Sequence, residues 1–213
     1  MEFTEFGRAE SPFVLVQPFD RRSMDGIEKE IYEIRRLVDT DFRFIAVTVD
    51  DWNNDLSPWS APAVYGKEDF AGEAADTLQG ILGYLKEDDS KYYIGGYSLA
   101  GLFALWAAYQ TDVFSGVAAA SASVWYPDFT QYMSGHEIHA HSVYLSLGDA
   151  EPRTRHPVMS TVGERMEQAH DLLIARGVEC TYELNPGNHF AEPDVRMAKA
   201  FARLLSKDVP RTL

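Results

Sequence analysis

The residue types most suited to chemistry lie in the run Gly95-Gly96-Tyr97-Ser98-Leu99-Ala100-Gly101. A serine hydroxyl is a poor nucleophile unless it is held in the open beside a base. A sharp turn between a strand and a helix does this, with a strained backbone at the serine. Strand and helix approach closely there, so the residues two positions to either side must be small. Gly96 and Ala100 satisfy that requirement, Ala100 exceeding the commonest glycine by one methyl group. The helix that starts at Leu99 offers free backbone N–H groups and a positive dipole end to an oxyanion formed near Ser98. The chemistry this pattern suits is nucleophilic attack on an acyl carbon.

Such a serine needs a base and an acid, each just past a later strand. Of the six histidines, His189 lies in Asn185-Pro-Gly-Asn-His-Phe190, where Pro186 and Gly187 make a turn able to lift an imidazole. His156 and His170 fall in or near a long helix and read as solvent-facing. His136, His139 and His141 cluster, but His136-Glu-Ile-His139 is one residue short of the helical zinc spacing and has no well-placed acid ligand. A polar surface loop is the better reading of these three. The acid is expected after the strand Ser142–Leu147, where Gly148-Asp149-Ala150-Glu151 supplies two carboxylates. Either could orient the imidazole and stabilise its cation. A carboxylate must clear the strand end by about a turn, which favours Glu151 and leaves Asp149 as the alternative.

A second oxyanion donor is expected from Gln17-Pro18-Phe19-Asp20. Pro18 has no N–H, so the amide of Phe19 is the candidate. Asp51, Asn53 and Asp55 imitate the start of a calcium loop, yet Leu56 replaces the required glycine and Pro62 the terminal glutamate, which argues against calcium. Trp52 and Trp59, in the same segment, either border the substrate or anchor a packed Ω-loop. Tyr97 and Trp125 are further pocket candidates, with Tyr126, Phe129, Tyr132 and Met133 either rimming a cleft or covering the sheet. Cys180 reads as a small core residue.

The elements that position these residues alternate. Strands are expected at Phe13–Gln17, Arg43–Val49, Lys91–Gly95, Ser115–Ser121, Ser142–Leu147 and Val178–Leu184. Helices are expected over Asp25–Val38, from Phe70 to Leu85, over Leu99–Ala108, over Val158–Arg176 and after Pro193. Ile27, Ile31, Ile34 and Val38 carry the spacing of the first, and Val162, Met166, Ala169, Leu172 and Leu173 that of the fourth. Leu99–Ala108 is apolar on every side and belongs in the interior. Strands alternating with such helices imply βαβ units, a mostly parallel sheet of about six strands, and ligands at the strands' carboxyl ends.

The 213 residues are read as one domain, 1–213, large enough to hide about 70% of the surface of the unfolded chain. Lys and Arg number 19 against 33 Asp and Glu, a net charge of −14. That excess repels phosphate backbones and anionic lipids, so no nucleic acid or membrane partner is expected. It also predicts a preference for neutral or cationic substrates unless the cleft is locally basic. One cysteine excludes an intrachain disulfide and the four-cysteine zinc modules. Met1–Pro12 has no basic region followed by an apolar run, and no stretch is long and apolar enough to span a bilayer. A cytoplasmic location without a signal peptide is therefore the expectation.

Gly-Tyr-Ser-Leu-Ala-Gly, then Gly-Asp-Ala-Glu, then Gly-Asn-His-Phe, resembles the α/β-hydrolase superfamily. Within it the chain is similar to the esterase D-like family, which includes feruloyl esterases, mycolyltransferases and enterochelin esterases. The resemblance runs from about Phe13 to Leu205. It implies a three-layer α/β-hydrolase fold with helices on both faces, from whose larger members this short chain is expected to depart by lacking their first strands and keeping only a minimal lid. It also implies a Ser98–His189–Glu151 triad, because the acid commonly stands three residues after the glycine ending its strand. Asp55-Leu56-Ser57-Pro58 resembles a segment near the substrate in the enterochelin-type members. The implied activity is hydrolysis of a small-molecule carboxylic ester through an acyl-enzyme, with no metal or organic cofactor. Acyl transfer or thioester hydrolysis would use the same residues, and a non-catalytic binding module is the rival reading. Nothing in the sequence decides between a monomer and a homodimer.

Overall fold

The computed structural model describes residues 1–21, 26–86 and 88–208. Its strands are β1 (Glu2–Phe6), β2 (Phe13–Asp20), β3 (Arg43–Val49), β4 (Lys91–Tyr97), β5 (Phe114–Ala120), β6 (Ser142–Gly148) and β7 (Glu179–Asn185). The helices are α1 (Ile27–Leu37), α2 (Trp52–Asp55), α3 (Ala74–Tyr84), α4 (Leu99–Ala107), α5 (Phe129–Gly135), α6 (Val162–Ala175) and α7 (Pro193–Asp208). One sheet forms in the order β1-β3-β2-β4-β5-β6-β7. β1 is antiparallel to β3, and every other adjacent pair is parallel.

Parallel strands are covered on both faces, so they carry nearly continuous apolar runs. β3, Arg-Phe-Ile-Ala-Val-Thr-Val, is buried at every position. Alternate residues feed two cores. Leu15, Phe44 and Ala46 point to the face covered by α1 and α7, whereas Val14, Val16, Ile45 and Val47 point to the face covered by α3, α4 and α6. All nine residues of α4 are buried, as its uniform apolarity predicts.

Several boundaries differ from the sequence reading. The sheet has seven strands rather than six. The extra one, β1, is an edge strand with no fully buried residue, so its periodic signal is weak. β2 continues past Pro18 to Asp20. Beyond Val16 it pairs only with β3, and a strand with a single partner tolerates a proline that lacks the ladder donor. Phe70 lies ahead of α3 and forms an antiparallel bridge with Ala61. The short helices α2 and α5 lie in segments where the sequence reading expects no helix. Cys180, on edge strand β7, is only half-buried, and burial still pushes its thiol up to about 12. The expected helix start at Asp25 lies outside the described residues. No helix among the described residues is long and apolar enough to cross a membrane.

Candidate active site

β4 ends at Tyr97 and α4 begins at Leu99, so Ser98 alone makes the turn. Its backbone lies at φ 59° and ψ −120°, a region that costs an L-residue about 1–3 kcal/mol. Three hydrogen bonds hold it there. The Ser98 amide donates to Ala120 O at 3.1 Å, and its carbonyl accepts from Leu102 N at 3.1 Å and Ser123 N at 3.0 Å. Gly96 is required by close approach: a Cβ there would lie 2.3 Å from the carbonyl of Ala100. Ser98 Oγ makes no capping bond to α4. It lies 3.1 Å from His189 Nε2 and 3.4 Å from Ser123 Oγ.

His189 follows β7, and its Nδ1 lies 2.8 Å from Glu151 Oε2. The other oxygen of Glu151 accepts from Ser121 Oγ at 2.6 Å, Gly148 N at 2.7 Å and Arg196 Nη1 at 3.1 Å. Burial pushes this carboxyl up. The bonds from His189, Ser121 and the Gly148 amide outweigh burial and hold it below the ordinary glutamate value. It is therefore ionised beside the imidazole at neutral pH. Gly148 is glycine because a Cβ would lie 2.4 Å from Gly187 O, where the loops after β6 and β7 touch.

Asp149 has a different place. Its Oδ1 accepts from Gly187 N at 2.9 Å, and its own amide donates to Asn185 O at 2.8 Å, so it ties the loop carrying His189 to the end of β6. The other histidines lie apart. His136 stacks on Tyr132, ring centroids 4.0 Å apart, and His170 bonds Asp171. The carboxylates of Asp51 and Asp55 accept from backbone amides of their own loop, at Asn54, Asp50 and Asp51.

Two cavities meet at Ser98, His189 and Phe190. The larger, about 650 Å³, is walled by Tyr65, Trp125, Arg153, Thr154, Met159 and Val162. The smaller, about 290 Å³, is walled by Gln17, Phe19, Glu30, Trp52, Tyr97 and Met197, among others. Trp125, Trp52 and Tyr97 thus border the cleft, as does Phe19. Phe19 belongs to β2 itself rather than to a loop beyond it. Trp59 does not border it. Its indole N–H donates to Pro127 O at 3.1 Å and its ring packs on Tyr126, Phe129 and Tyr132, the anchoring role of the Ω-loop reading. Tyr126, Phe129 and Met133 are likewise core rather than cleft.

No protein-family profile matches the chain, and no curated protein does. Solved structures do. The siderophore hydrolase EstA from Aspergillus nidulans is 18% identical with a TM-score of 0.68, over 95% of this chain and 86% of that one. A ferulic acid esterase is 13% identical with a TM-score of 0.60, over 96% and 88%. The enterobactin esterase FES from Shigella flexneri, with 2,3-di-hydroxy-N-benzoyl-glycine, is 14% identical with a TM-score of 0.68. That match covers 96% of this chain, which spans 55% of the FES chain. The chain has the α/β-hydrolase fold.

In this α/β-hydrolase fold the sequence reading missed two residues that hold the Glu151 carboxylate, Ser121 and Arg196. Ser121 adopts φ 45° just beyond β5, which turns its hydroxyl toward Glu151. It is one of several small residues there, and its type alone gives no signal. Arg196 does carry one. It stands four and eight residues before the buried Ala200 and Leu204, so a cation occupies the apolar stripe of α7. Such a side chain must find partners inside.

Proposed function

We propose that the protein is a serine hydrolase that cleaves carboxylic esters through an acyl-enzyme formed on Ser98. The observation that carries this reading is the unbroken hydrogen-bond chain from Ser98 Oγ through His189 to the buried Glu151. It starts at a strained strand-to-helix turn, in a fold shared with solved esterases. His189 Nε2 takes the proton as Ser98 Oγ attacks the carbonyl, and then gives it to the leaving alcohol. Glu151 holds the imidazole by Nδ1 and stabilises its cation. Water repeats the sequence on the acyl-enzyme and frees Ser98. The oxyanion is held by the amide of Leu99, at the N-terminus of α4, and by that of Phe19 across the cleft.

Two cavities flanking Ser98 suit an ester with a group on each side of the reacting carbon. Trp125 and Tyr65 in the larger one favour an aromatic portion, and no cofactor takes part in this scheme. Siderophore esters and ferulate esters head the test panel, because the structural neighbours are named for them.

The test uses a fluorophosphonate probe and p-nitrophenyl acetate. Wild type is expected to label at Ser98 and to turn over, and Ser98→Ala to lose at least about a thousandfold in kcat. Absence of both labelling and turnover in the wild type would leave a binding module on a hydrolase fold.

A further inference from the structure

Arg196 is the most heavily engaged side chain near the cleft, and the ester-cleavage scheme gives it no task. Its side chain is 3% exposed. Nη1 donates to Tyr97 Oη at 2.9 Å, Ser121 Oγ at 3.1 Å and Glu151 Oε1 at 3.1 Å. Nη2 donates to Pro186 O at 3.2 Å and Asn188 O at 3.1 Å. These acceptors stand at the carboxyl ends of β4, β5, β6 and β7. One guanidinium therefore spans every segment that presents Ser98, Glu151 or His189. Tyr97 closes a second circuit by donating to His189 O at 2.7 Å.

The packing of α7 does not call for a cation. Its buried neighbours on the helix are Met197, Ala200, Phe201 and Leu204. Burying a guanidinium carries a desolvation cost that its partners must offset. An apolar residue would fill the stripe without that cost, so the gain lies in the arrangement the guanidinium enforces.

We propose that Arg196 is the positioning residue of the site: it ties the His189 loop to Glu151 and offsets the buried Glu151 charge beside the imidazole. This rests on the reading of Ser98, His189 and Glu151 as the hydrolytic machinery. The physical step is electrostatic. A bare buried carboxylate at 2.8 Å would hold the imidazolium proton more tightly than one already paired with a cation. The groups bonded to the imidazole and its acid include Glu151, Arg196 and Ser98, with Tyr97 on the His189 carbonyl; Arg153 in the wall of the larger cavity and Asp20, Glu30 and Asp194 in that of the smaller also face them. Asp149 reaches the same loop through Gly187. Burial pushes the Tyr97 hydroxyl above the ordinary tyrosine value, so it stays neutral through the working range. Arg196 is then the cation that balances the acid.

The experiment compares wild type, Arg196→Gln and Arg196→Lys by kcat/KM against pH for p-nitrophenyl acetate and by NMR titration of the His189 imidazole. In Arg196→Gln the acid limb of kcat/KM moves up in pH. kcat falls at least tenfold, with KM changed far less. Arg196→Lys keeps the charge but not the five bonds, so its acid limb returns toward wild type while kcat stays reduced. A role in stability alone would lower Tm and leave both the titration and the acid limb in place, and that result overturns the proposal. If Arg196→Gln does not fold, Arg196→Lys decides: wild-type kcat in that variant overturns the proposal, and a tenfold loss with an unmoved acid limb supports it. Should the wild type prove inactive, the hydrolase reading fails, and the NMR titration still tests the hold of Arg196 on His189.

Discussion

Two buried glutamates lie on opposite sides of Ser98, and their surroundings differ sharply. Glu151, 8% exposed, receives bonds from His189, Ser121, the Gly148 amide and Arg196. Glu30, 3% exposed in the wall of the smaller cavity, receives one from Gln17 Nε2 at 3.2 Å, and its Oε1 has no partner among the described residues. Burial pushes both carboxyls up. At Glu151 the donors reverse that push. At Glu30 burial wins, the single bond from Gln17 is too little, and Asp194 nearby adds to the rise. The same residue type, buried in both places, thus gives up its proton below the ordinary glutamate range at Glu151 and above it at Glu30. Donor count, rather than depth, sets the charge state.

The strongest way to break this comparison is to neutralise the well-partnered member. Glu151→Gln keeps the shape but removes the charge that would stabilise the imidazolium in the proposed scheme, and about a thousandfold loss of kcat on p-nitrophenyl acetate is expected. The stability effect has a definite sign. The folded value of Glu151 lies below the unfolded one of about 4.3, so its contribution is complete above that pH. It is lost as pH falls through the folded value. Thermal unfolding at pH 7 is therefore expected to separate wild type from Glu151→Gln, with the gap closing in acid.

Asp149→Ala sharpens the contrast within one loop. It removes the acceptor for Gly187 N and costs about 1 kcal/mol, read as a lower Tm. Because Asp149 lies outside the Ser98–His189–Glu151 chain, kcat is expected to fall only a few-fold. A thousandfold loss would instead move the acid's role to Asp149.

The smallest effect tests the other glutamate. Glu30 keeps its proton in the folded chain after the unfolded chain has lost it above about pH 4.3, so its contribution worsens as pH rises. The Tm of Glu30→Gln minus that of wild type is expected to increase between pH 5 and pH 8, by about 2 °C for a chain of this length. A gap that shrinks over that range would place an ionised, satisfied carboxylate at Glu30.

Both charged residues that matter here beyond the Ser–His–acid chain were visible in one respect. Glu30 interrupts the apolar stripe Ile27, Ile31, Ile34 of α1, as Arg196 interrupts that of α7. Periodicity marks such a residue as buried, but it does not name the partner, because Gln17 for Glu30 and Glu151 for Arg196 lie on other elements more than ten residues away. The half-buried edge strand β1 was missed for want of a clean alternation. Trp52 and Trp59 could not be separated by composition, since their loop fold decides which ring meets the cleft.

By itself the sequence determined the alternation of strands and helices, because apolar spacing reports which face each element must hide. It also marked the turn at Ser98, since only small neighbours allow strand and helix to meet there. Tertiary structure alone decided which of Glu151 and Asp149 meets His189, how Trp59 packs away from the cleft, and how Arg196 joins four strand ends. Those outcomes depend on distances between segments remote in sequence, and local patterns carry no record of them.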